Sequence, residues 1–60
     1  MSDMEWSLDK KHWHDVRENE EFGAIGGYVF LRAKGEVKIS VNGMLVNEIA
    51  LHNGKVIHVH

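Results

Sequence analysis

The chain has 60 residues, no cysteine, no proline, five histidines and a net charge of −2. That length allows one domain at most, and the lack of cysteine excludes disulfides and thiolate metal sites as the extra stabilisation small domains use. A good core, a histidine-bound metal or self-association remains, and self-association asks least of the sequence.

Residues 1–22 form an acidic segment, with seven acids against three bases and a net −4. Residues 7–21 are expected to be helical. Ser7 can cap the first amides and Asp9 suits the positive end of the dipole. Leu8, Val16 and Trp13 fall on one arc, which Trp6 would extend. Gly23 lies just past the expected end. Three glycines within 23–27 then read as a hinge.

Beyond the hinge, runs 28–33, 36–41, 44–51 and 55–60 are β-rich and separated by Lys34-Gly35, Asn42-Gly43 and Asn53-Gly54. Asn-Gly between apolar runs marks a type I′ hairpin, because both central residues need positive φ. The expected fold is therefore α+β: an N-terminal α-helix packed on a four-stranded antiparallel β-meander, as a single domain.

Two-residue loops throughout would pair Val41 with Met44, Ile39 with Val46, Val37 with Glu48, Ala50 with Ile57, Glu48 with Val59, Tyr28 with Val41 and Phe30 with Ile39. Cross-strand partners share a face. One face thus carries Tyr28, Phe30, Val37, Ile39, Val41, Met44, Val46, Ala50, Ile57 and Val59 and is expected to be the core. The other carries Val29, Leu31, Leu45, Ile49, Leu51 and Val56. A sheet with one wet face alternates cleanly, and one short helix cannot cover two apolar faces. The second face, together with Trp6, is the expected contact with a partner or a second copy. Strand 55–60 offers a further contact as an edge guarded by Lys55 alone.

His58 and His60 lie two apart on a strand and share a side. His12 and His14 diverge on a helix but would converge on an extended chain, so these four are the candidate metal ligands. No ligand set has a recognised metal-site spacing, and no cofactor is expected. Catalysis lacks a nucleophile, so no enzyme is expected. From Gly23 onward four bases (Arg32, Lys34, Lys38, Lys55) oppose two acids, a net +2. They are scattered rather than gathered in the stripe that nucleic-acid binding favours. No run approaches a membrane span and the first residues are too acidic for a secretory signal, so a cytoplasmic location is expected. The leading function is a small non-catalytic interaction protein, a regulator or inhibitor that binds another macromolecule as a homo-oligomer. Histidine-based metal binding or sensing is the alternative, and weak nucleic-acid binding the third.

Overall fold

A computed structural model describes residues 3–23, 25–35 and 38–58. Among them are seven strands and no helix: β1 (Met4–Ser7), β2 (His14–Asp15), β3 (Tyr28–Ala33), β4 (Ile39–Val41), β5 (Met44–Val46), β6 (Glu48–His52) and β7 (Lys55–His58). Five form one antiparallel sheet in the order β2-β1-β3-β6-β7, and β4-β5 form a separate hairpin.

The expected helix over 7–21 is corrected by this topology, and with it the α+β class. Ser7 ends β1 in register with Phe30. Its hydroxyl does accept the amides of Asp9 and Lys10, at 3.2 and 2.9 Å, as a helix cap would. Asp9 then takes over, its Oδ1 accepting the amides of Lys11 and His12 at 2.8 Å each. These side-chain acceptors replace the carbonyls a helix would supply. Lys10 at φ 63° and Asn19 at φ 61° break any helical path. The thin apolar arc gave a helix little to bury, whereas Trp6 in an extended strand lies opposite Leu31.

The four-strand meander is corrected as well. β3 pairs with β6 and β1, so Tyr28 faces His52 and Phe30 faces Ala50 rather than residues of β4. Run 44–51 divides at Asn47, whose carbonyl accepts the Ala33 amide at 3.0 Å. That bond closes the β3–β6 ladder and leaves 34–47 as an excursion carrying the hairpin. The Lys34 amide turns instead to the Asp3 carbonyl, at 2.8 Å. Within the hairpins the expected register holds: Val41 faces Met44, Ile39 faces Val46 and Ala50 faces Ile57. Asn42 and Gly43 take φ 49° and 82°, as a type I′ turn requires. Pairings expected of Val37 and Val59 lie outside the described residues.

Which face is buried also differs from expectation. The core consists of Val29 (1 % exposed), Leu31, Ile49 and Ala50. The first three belong to the face assigned above to a partner. β1 accounts for the change, since it adds beside β3 and sets Trp6 next to Leu31, and Phe22 meets the Trp6 ring edge-on at 5.7 Å. Gly23 and Gly27 both lie against the Asn53-Gly54 turn. Gly27 donates to the Asn53 side chain, Asn53 donates back to the Gly27 carbonyl, and Gly23 passes close to Gly54. On the opposite face Ser7 is fully buried, and the 8–13 loop folds across: Lys10 lies 4.6 Å from the Phe30 ring centroid and Trp13 packs against Arg32. Each face of β3 is thus partly covered from within the described chain, while Tyr28 stays exposed.

Candidate functional site

Among the described residues, two surfaces are of interest for function: the edge strand β7 and a groove beside the edge strand β2.

β7 closes the sheet on one side. Its partner β6 is reached through the Asn53-Gly54 turn, which hydrogen-bonds the closing pair His52–Lys55. Hydrogen-bonded and non-bonded pairs alternate along an antiparallel ladder, so the amides of Val56 and His58 point to the open edge. Val56 (50 % exposed) and Ile57 (40 %) stand on opposite faces beside it. Lys55 makes no ion pair among the described residues.

The groove has a volume of about 580 Å³ and is lined by Trp6, Trp13, His14, Asp15, Arg17 and Glu20. Trp6 is held by its strand pairing and packs against the His14 ring at 4.7 Å. Trp13 is fixed twice, by its indole N–H to the Lys10 carbonyl at 3.2 Å and by the Arg32 guanidinium over its ring. Asp15 pairs with Lys34, and that ammonium holds its carboxyl below the usual range. Glu20 Oε1 accepts the Arg17 amide at 3.0 Å, closing the 17–20 turn.

Of the residues assigned to a partner contact from sequence, Val29, Leu31 and Ile49 are core. Trp6 and Leu51 are half-buried, while Leu45 (70 % exposed) and Val56 are open. Leu45 belongs to the separate β4–β5 hairpin and Val56 to β7 of the five-stranded sheet. The histidines are divided too. His12 Nδ1 lies 2.7 Å from Asp9 Oδ2, whose hydrogen bond and charge raise the imidazole pKa, while His14 lies against Trp6. His60 and the His58 side chain lie outside the described residues. Among the described residues no three His, Asp or Glu side chains converge as metal ligands. Of the four bases considered for nucleic acid, Arg32 pairs with Glu5, Lys34 with Asp15, and Lys38 bonds Asn47. No described helix is long and apolar enough to cross a membrane.

The groove escaped the sequence reading because a helix over 7–21 would have separated the residues that line it. The available signal was Trp6 and Trp13 flanking a Ser-x-Asp turn motif, which favours a tight loop over a helix start. Comparison with family models, curated proteins and solved structures gave no match, so the geometry alone carries the functional reading.

Proposed function

We propose that this chain is a small non-catalytic interaction protein that self-associates through β7 and acts by binding another macromolecule. The observation behind it is the β7 edge of the sheet, where the outward amides of Val56 and His58 flank Ile57 and where Val56 and Ile57 are exposed. An unpaired strand edge is a template for another strand, and natural edges are usually blunted by charge, proline or a bulge. Here Lys55 is the one charge on β7.

A two-fold axis through Ile57 satisfies this edge. Val56 then pairs with His58 of the second copy and each Ile57 faces its counterpart, while the two Lys55 residues stay at opposite ends. The contact is isologous and closed, as dimers of identical chains are. Two five-stranded sheets would become one of ten strands.

Val56→Pro tests the reading. It removes an amide that faces away from the β6–β7 ladder, and proline is tolerated where an edge N–H faces outward. Native mass spectrometry should give a dimer for the wild type and a monomer for the variant, with similar melting of the monomeric sheet. A monomeric wild type, or a variant that stays dimeric, would remove the β7 contact.

A further inference from the structure

We propose that Asn42 is a site of spontaneous covalent modification, converting to isoaspartate and aspartate at the tip of the β4–β5 hairpin, while the same dipeptide at Asn53-Gly54 is spared. The inference needs only a single chain, so it stands whether or not β7 pairs with a second copy.

The dipeptide sets the chemistry. The Gly43 nitrogen gives its proton to hydroxide and attacks Cγ of Asn42, closing a five-membered succinimide. A C–N bond forms there, and the side-chain nitrogen leaves as ammonia. Water then opens the ring. Opening at the backbone carbonyl gives isoaspartate, and opening at Cγ gives aspartate. One water is consumed, one ammonia is released and nothing is oxidised or reduced. Glycine favours the attack because it carries no Cβ to obstruct the approach. Of the four asparagines, Asn42 and Asn53 precede glycine, whereas Asn19 and Asn47 precede glutamate.

The fold separates the two reactive sites. Both asparagines sit at positive φ, 49° and 51°, in type I′ turns. Ring closure requires the asparagine to rotate out of that geometry, so each rate follows the local opening of its own hairpin. Asn42 is exposed and its side chain makes no hydrogen bond among the described residues. Its hairpin pairs with no strand of the five-stranded sheet, and a two-stranded hairpin is marginal by itself in water. Asn53 is anchored instead. Its Oδ1 accepts the Gly27 amide at 3.0 Å, and its own amide donates to the Gly27 carbonyl at 3.1 Å. A Cβ at Gly54 would lie 3.5 Å from the Gly23 Cα, whereas one at Gly43 would meet nothing within 4 Å. Freeing Asn53 therefore breaks part of the main sheet and its tie to Gly27, while freeing Asn42 disturbs the β4–β5 pairs alone.

The product alters the hairpin. Isoaspartate routes the main chain through an extra methylene and places a carboxylate in a turn whose two-residue length fixes the register of Val41 against Met44.

The intact protein, aged at mildly alkaline pH, tests the proposal by mass spectrometry. Cleavage after Glu36 and Glu48 puts Asn42 and Asn53 in separate fragments, 37–48 and 49–60. Each fragment gains the mass difference between an amide and an acid on conversion. In the folded protein the 37–48 fragment should convert about five-fold or more faster than the 49–60 fragment, with the change located at Asn42. In denaturant the two rates should converge. Equal rates in the folded protein, faster conversion at Asn53 or conversion at Asn47 would overturn the proposal. So would an Asn42 that converts in denaturant yet stays intact in the folded chain, because the turn would then protect it. A difference that persists undiminished in denaturant would assign the sparing of Asn53 to its sequence neighbours and overturn the role of the fold.

Discussion

Arg32 joins Glu5 and Trp13 across the sheet, with its Nε bonded to Glu5 Oε1 and its guanidinium carbon 3.8 Å from the Trp13 ring centroid. Glu5 and Arg32 are directly opposed on β1 and β3, so the ion pair reinforces the strand pairing that replaces the expected helix. Trp13 closes over it and ties the 8–13 loop to the sheet.

Arg32→Ala should therefore destabilise the fold by about 1–2 kcal/mol, combining a part-exposed ion pair with a cation–π contact. Arg32→Lys should recover less than half of this, because an ammonium lacks the planar group that stacks on indole. Denaturant melts monitored by tryptophan emission read both. Full recovery by lysine would mean that charge alone matters.

The Asp9–His12 pair gives the loop a defined pH response. Asp9 is held far below its ordinary 3.8, first by the His12 amide and then by the His12 ring, the Lys11 amide and Ser7. Its stabilising effect is present above the ordinary carboxylate range and fades as pH falls toward the lowered value. His12 is raised from 6.5 by the same hydrogen bond and charge. Its contribution is present below 6.5 and fades as pH rises through the raised value. The melting temperature of the wild type should exceed that of His12→Gln at about pH 5.5, and the gap should close by about pH 8.5. A gap that widens with pH would contradict the sign.

The two Asn-Gly hairpins should respond differently to the same substitution. Gly43 and Gly54 both have φ near 80° (82° and 80°), where a side chain is strained. Gly54 belongs to the β6–β7 ladder of the main sheet and lies 3.5 Å, from an added Cβ, to the Gly23 Cα. Gly54→Ala should cost about 1–2 kcal/mol of global stability. Gly43→Ala should instead loosen the separate β4–β5 hairpin, with the strain appearing as faster amide exchange there and a smaller change in global melting. Equal global losses would mean that the hairpin unfolds together with the sheet.

Cysteine substitution tests the register of the proposed dimer. With Ile57 on the two-fold axis, its Cα lies about 4.5 Å from its counterpart, as in other non-hydrogen-bonded antiparallel pairs. A disulfide spans that separation. In a chain with no native cysteine, Ile57→Cys should give a covalent dimer under mild oxidation and Lys55→Cys should not. Preferential cross-linking at Lys55 would shift the register.

The turns were legible in the sequence and the partners of the strands were not. Asn42-Gly43 and Asn53-Gly54 demand positive φ locally, so their hairpins and registers follow from four residues each. The pairing of β3 with β6 depends on Asn47 receiving the Ala33 amide after a long excursion, and no local pattern encodes that choice. Trp6 was ambiguous because an extended strand and an early helix both bury it. Ser7 and Asp9 misled in a specific way: the side-chain bonds that cap a helix also fold a tight loop, and only Lys10 at positive φ separates the two outcomes. The alternation of Val29, Leu31 and Ile49 set them on one face, but that face was assigned to a partner and is instead part of the buried core.

The most direct test of the open edge is amide hydrogen exchange at Val56 and Ile57 across a protein concentration series. Ile57 pairs inward with Ala50, so its amide should be protected at every concentration, while Val56 should exchange freely in dilute protein and become protected as copies pair. Val56 exchange that stays fast and independent of concentration would contradict assembly through β7.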